Sequence, residues 1–371
     1  MSRHPILTLL ALRLPMALLV LLATACQQPP EAAPQAPDLP MANPYGLFTE
    51  AELPGALQAT IEPFWQARVR TGQVAGKGGL MLAYAAAEPA APRASVVIVN
   101  GRTESLLKYK EVFHDLWRQG YAVYALDHRG QGLSPRLLPQ QPHKGHVASF
   151  DDYVDDLAAF VDGVVRPRSA GRPLLMLAHS MGGGIGTLYL ERHPGVFRAA
   201  ALSSPMHAPN AKVVASATAG CLWFKATGGL CPTCYAGLLD KGFEPTPFDA
   251  QRNELTHSAV RHAIVQQAIA DAPQTALGGP TRGWAAAACR ASDELIAQAG
   301  RIDARLLVLQ AGADTAVTPE GQAAFCAALA PQVRPSPCPL RLEGARHELL
   351  VESDRHRLPA MTAILDFFAR P

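Results

Sequence analysis

The stretch Pro173-Leu174-Leu175-Met176-Leu177-Ala178-His179-Ser180-Met181-Gly182-Gly183-Gly184 decides how the rest of the chain reads. Its apolar run, bounded by turn residues, has the length of a strand buried on both faces. Ile185, Leu188 and Tyr189 follow at helical spacing. A small residue, a spacer, Ser, a spacer and Gly between strand and helix make a sharp turn that lifts the Ser Oγ above the sheet edge. Such a turn brings backbones close together, so its flanking residues must be small; Ala178 stands where Gly is usual. Ser180 is therefore the candidate nucleophile.

A chain of 371 residues suits one large domain or two small ones. With 49% hydrophobic and 17% charged residues it can bury a large core. The net charge is +2 and no basic block or aromatic-basic array occurs, so a nucleic-acid partner is not expected.

Arg3, His4 and Arg13 precede an apolar run over residues 14–25 that is too short for a comfortable membrane span. Residues 1–25 read as a signal peptide. Ala23-Thr24-Ala25 meets the small-residue rule for secretory cleavage, and Leu22-Ala23-Thr24-Ala25-Cys26 resembles a bacterial lipoprotein box. Cysteine parity favours the second alternative. The chain has seven cysteines, and lipid on Cys26 leaves six, enough for three disulfides in an oxidising compartment. Membrane attachment through acylated Cys26 is expected, with Gln27 pointing to an outer-membrane lipoprotein facing the periplasm. Residues 26–46, rich in Pro and Ala, read as a tether, and the folded part is expected from residue 47, as a monomer.

Strand signals fall at residues 80–84, 94–99, 121–126, 199–203, 306–309 and 340–342. Helical stripes fall at 106–119, 150–164, 319–329 and 357–369. This alternation implies an α/β fold with a mostly parallel central sheet and helices on both faces. Residues 206–292 break it; too long for a connecting loop, they read as an inserted, mostly helical cap.

A Ser nucleophile needs a base, and the base an orienting acid. After a strand-Ser-helix elbow the expected chain order is Ser, then Asp or Glu, then His. Asp314 follows a late strand and His347 follows the last one, on the sheet edge that carries Ser180; Glu320 is the alternative acid. His179, beside the nucleophile, reads as a structural residue of the elbow. The oxyanion hole needs two backbone donors. The Met181 N–H is one, and the Arg102 N–H in the Asn100-Gly101-Arg102 turn is assigned as the other, with residues 101 and 103 as alternatives. The Arg102 and Glu104 side chains are expected to pair with each other, the alternative being a polar head group. Neither metal nor cofactor is needed.

Asn-Gly-Arg-Thr-Glu-Ser (100–105), Asp-His-Arg-Gly-Gln-Gly-Leu-Ser (127–134), Tyr-Val-Asp-Asp-Leu-Ala-Ala-Phe (153–160), Ala-His-Ser-Met-Gly-Gly (178–183), Gly-Gly-Pro-Thr-Arg-Gly-Trp (278–284) and Gly-Ala-Arg-His-Glu (344–348) resemble the bacterial lysophospholipase branch of the monoacylglycerol-lipase-like α/β-hydrolases. The resemblance implies an α/β-hydrolase fold over residues 75–370, a triad of Ser180, Asp314 and His347, and hydrolysis of one acyl ester on a glycerol backbone. Alternatives within the fold are a carboxylesterase, an acyltransferase or a peptidase; outside it stands a non-catalytic lipid-binding envelope lipoprotein. The leader, the tether and the extra cysteines depart from that branch. A disulfide is expected between Cys326 and Cys338, with the pairing of Cys221, Cys231, Cys234 and Cys289 open. Trp223, Phe224, Leu277 and Trp284 are candidates to line an acyl tunnel.

Overall fold

The computed structural model describes residues 42–211, 216–237 and 241–370. The leader, Cys26 and tether residues 27–41 lie outside the described residues. Among the described residues, no helix is long and apolar enough to cross a membrane.

The strands are β1 (Val69–Ala75), β2 (Met81–Ala87), β3 (Ala94–Val99), β4 (Tyr121–Leu126), β5 (Leu174–His179), β6 (Ala199–Ser203), β7 (Arg305–Ala311) and β8 (Leu340–Leu342). They form one sheet in the order β1-β2-β4-β3-β5-β6-β7-β8. The β1–β2 and β2–β4 pairs are antiparallel and all others parallel. In β3, β4, β5 and β6 every residue is buried, which explains their unbroken apolar runs. Alternate side chains feed two cores. Val97, Val99, Met176 and Ala178 meet helices α2 (Phe150–Phe160), α3 (Met181–Arg192) and α6 (Arg282–Gln298) on one face. Val96, Ile98, Leu175 and Leu177 meet α1 (Lys110–Arg118) and α8 (Asp354–Ala369) on the other.

Strand β1 and the helical segments Leu53–Ala56, Leu57–Ile61 and Glu62–Arg68 were not foreseen. β1 is a half-exposed edge strand with a polar sequence, so its apolar signal is weak. The domain also begins earlier than residue 47. The Asn43 side chain closes a turn onto Leu47, and the Tyr45 hydroxyl donates to Asp366 across 2.5 Å.

Between β6 and β7 lie helices α4 (Ala217–Thr227), α5 (Ala259–Asp271) and α6. Polar side chains cap all three: Ser216, Ser258 and Thr281 accept from N–H groups in the first turns. Helix α6 runs past residue 292 to Gln298, and Leu295 in its second half is buried in the sheet's own core. One helix thus belongs to both cap and core. Disulfides join Cys221 to Cys289, Cys231 to Cys234 and Cys326 to Cys338. The first ties α4 to α6 over 68 residues of chain. Replacing both its cysteines by Ser is expected to lower unfolding stability by about 2–4 kcal/mol in urea titration, because so long a loop loses much closure entropy in the unfolded state.

Candidate active site

The β5–α3 turn forces Ser180 to φ 52° and ψ −121°, a region costly for a residue with a Cβ. The strain is held by hydrogen bonds on both sides. The Ser180 N–H donates to the Ser203 carbonyl at 3.0 Å, and the Ser180 carbonyl accepts from the Met206 and Gly183 N–H groups at 2.8 Å each. The following glycines are required by close approach. A Cβ on Gly182 would stand 2.1 Å from the Val99 carbonyl oxygen, and one on Gly183 would stand 2.5 Å from the Pro205 Cβ. Ala178 fits because α3 meets it at Gly186, where a Cβ would lie 3.3 Å from the Ala178 Cβ.

His347 Nε2 lies 2.8 Å from Ser180 Oγ, and His347 Nδ1 lies 2.7 Å from Asp314 Oδ2. The other Asp314 oxygen accepts the N–H groups of Ala316 and Val317 at 2.8 and 3.1 Å, which fixes the carboxylate. Asp314 accepts from His347 Nδ1–H, so Nε2 faces the hydroxyl as an acceptor. The parallel strands bring the three residues together: β5, β7 and β8 each end on the same edge of the sheet. Glu320 sits exposed in the first turn of α7 (Pro319–Ala328), outside this chain of hydrogen bonds.

Met181 opens α3, and its N–H is one of the donors that a helix start leaves without an intrahelical partner. Across from it, a Cβ on Gly101 would lie 3.2 Å from the Ser180 Cβ, so the loop after β3 reaches the nucleophile. The Gly101 N–H is taken by the Glu104 carboxylate, which removes it as a candidate oxyanion donor. The expected Arg102–Glu104 pair is corrected by the structure. Glu104 turns inward to Gly101, Lys108 and Tyr109, while Arg102 donates to the Gly278 carbonyl at 2.8 Å and stands over the Trp284 ring. The reason is the helical turn after β3, which sets Lys108 four residues beyond Glu104 on the buried side. His179 is buried beside this group, a connection that the chain order does not reveal.

Ser180 opens onto a cavity of about 380 Å³. Met206, Phe224, Trp284, Ala285 and Val317 give it apolar walls, and Arg102 is its one charged lining residue among the described residues. Phe224 and Trp284, two of the four tunnel candidates, thus line the cavity at Ser180. Trp223 and Leu277 do not: Trp223 packs under the Arg282 guanidinium, and Leu277 is buried outside this cavity.

A family profile described as "Serine aminopeptidase, S33" matches residues 90–354, a span that holds every element of the site. The chain belongs to this hydrolase family. It is 40% identical over 278 residues to lysophospholipase L2 of Escherichia coli K12, covering 74% of this chain and 80% of that one. It is 32% identical over 318 residues to the probable lysophospholipase L2 of Haemophilus influenzae, covering 83% and 95%. Its fold is similar to the monoacylglycerol lipase of Paleococcus ferrophilus, with a TM-score of 0.58 at 23% identity over 77% of this chain and 97% of that one. This S33-family chain is a lysophospholipase- and monoacylglycerol-lipase-like α/β-hydrolase.

The close packing at the elbow gives a direct expectation. Gly182→Ala drives a methyl into the Val99 carbonyl and is expected to lower unfolding stability by about 1–3 kcal/mol, read as a lower urea midpoint at unchanged slope.

Proposed function

We propose that the chain hydrolyses the single acyl ester of lysophospholipids or monoacylglycerols through an acyl-enzyme on Ser180. The observation that carries this reading is the Ser180–His347–Asp314 hydrogen-bond chain opening into an apolar cavity. Ser180 Oγ attacks the ester carbonyl while His347 Nε2 takes its proton. Asp314 holds the imidazole in the required tautomer and stabilises the imidazolium. The Met181 and Arg102 N–H groups receive the oxyanion, a stabilisation worth on the order of 10²–10³ in rate per donor in comparable enzymes. His347 then returns the proton to the departing glycerol oxygen, and water repeats the sequence on the acyl-enzyme. Apolar walls with Arg102 among them suit a single acyl chain joined to a polar head group.

The further reading is an exported lipoprotein, anchored through acylated Cys26 and facing the periplasm. Its support is arithmetic: three disulfides use six of the seven cysteines and leave Cys26 for another task.

A panel of single-chain phospholipids, monoacylglycerols and short soluble esters tests the substrate class. Long-chain lipid esters are expected to be preferred, with Ser180→Ala devoid of activity; a preference for short soluble esters contradicts the lipid reading. Asp314→Asn is expected to lower kcat by roughly 10⁴-fold with little change in KM, because the amide selects the wrong imidazole tautomer. Cys26→Ser is expected to move the protein from the membrane fraction to the soluble fraction, read by detergent phase partition; unchanged partition contradicts the anchor.

A further inference from the structure

Behind the Ser180–His347 pair lies a buried group of four ionisable side chains drawn from three parts of the chain. Glu104 and Lys108 come from the loop and helical turn after β3, His179 from the end of β5, and Glu348 from the loop after β8. Lys108 Nζ donates to both carboxylates, at 2.5 Å to Glu348. His179 Nε2 stands 3.1 Å from Glu348 and 3.6 Å from Glu104, off the line of a hydrogen bond with either. His179 Nδ1 lies 3.1 Å from the Ser203 carbonyl, which can only accept, so this nitrogen carries a proton. Nε2 faces two carboxylates and needs one as well. Burial opposes a charge on His179, but Glu348 and Glu104 outweigh it and raise its pKa above the ordinary imidazole value. Burial would likewise raise Glu348, yet Lys108 and His179 hold it well below the usual carboxylate range. The facing atoms of Glu104, His179 and Glu348 lie within 4.8 Å of one another, and the Lys108 ammonium sits between the two carboxylates as their shared cation.

We propose that Glu104, Lys108, His179 and Glu348 form a charge-balanced positioning cluster that locks the oxyanion loop, the elbow and the base loop together and keeps the net charge beside His347 near zero. Glu104, His179 and Glu348 each touch one part of the reacting machinery, and Lys108 joins the two carboxylates. Glu104 accepts the Gly101 N–H, which fixes the peptide next to Arg102, and the Tyr109 hydroxyl at 2.6 Å steadies that carboxylate. His179 precedes Ser180 in the chain, and its ring centroid is 5.0 Å from that of His347. Glu348 follows His347 in the chain, and its N–H donates to the cap through the Leu255 carbonyl at 2.9 Å. Two carboxylates and two cations cancel. The groups facing His347 are then Ser180, Asp314, His179 and Glu348, while Arg346 turns away to the Thr256 and Ala250 carbonyls. This inference rests on His347 being the base of the proposed hydrolysis.

The test is the pH dependence of kcat/KM on a soluble p-nitrophenyl ester, whose acid limb reports the free enzyme's base. Glu348→Gln leaves an excess positive charge near His347 and is expected to move that limb down by about one pH unit. Lys108→Met leaves an excess negative charge and is expected to move it up by a similar amount. The double variant restores neutrality, and its limb is expected back near that of the parent. Thermal melting of each variant shows that the comparison is made on folded protein, and the double variant keeps the test open if one single variant does not fold. Acid limbs that coincide in all folded variants, or a double variant displaced further than either single one, overturn the proposal. Loss of the acid limb in the parent itself instead overturns His347 as the base.

Discussion

The peptide at Ser180 is the constraint on which the site depends. A residue with a Cβ held at positive φ keeps that conformation only where its surroundings over-determine it. Those surroundings are specific: a bond to β6 through Ser203, bonds to its own carbonyl from the Gly183, Gly184 and Met206 N–H groups, and glycines at 182, 183 and 186 wherever α3 meets β3, the Pro205 segment and β5. The parallel sheet supplies the rest, because strands that run the same way end on the same edge. The acid and the base therefore arrive beside the nucleophile from residues 134 and 167 positions further along the chain.

Much of this was legible in the sequence because it is periodic or ordered. Doubly buried strands give unbroken apolar runs, and β3, β4, β6 and β8 have the bounds their composition suggests. The order Ser180, Asp314, His347 follows from the positions of three loops after strands, and the structure brings these residues within hydrogen-bond reach of one another. What stayed hidden has no local signature. β1 is polar because one edge of the sheet meets solvent, and Tyr45 is held by a contact with Asp366, 321 residues away. The partner of Glu104 was misread because Arg102 is nearer in sequence, whereas a helical turn puts Lys108 on the same buried side. Glu348 joins the same group from 240 residues beyond Lys108.

The cap reaches the cavity at Ser180 through helices α4 and α6. Helix α6 lies in the core at one end and lines the cavity with Trp284 and Ala285 at the other. The Cys221–Cys289 disulfide fastens to it the helix that carries Phe224. Helix α5 is held separately by the buried Arg261, whose guanidinium bonds Glu111, Asp354 and the Phe48 carbonyl. The N-terminal segment and the cap are thus joined at one charged node on the domain.

In the proposed hydrolysis Ser180 carries the acyl group between two half-reactions. Rapid acid quench during turnover of a p-nitrophenyl long-chain ester, followed by peptide mass mapping, measures this directly. An adduct of the acyl mass is expected on the peptide containing Ser180, formed in the burst phase and absent from Ser180→Ala. Hydrolysis with no adduct on that peptide, or with the acyl group on another residue, would contradict it.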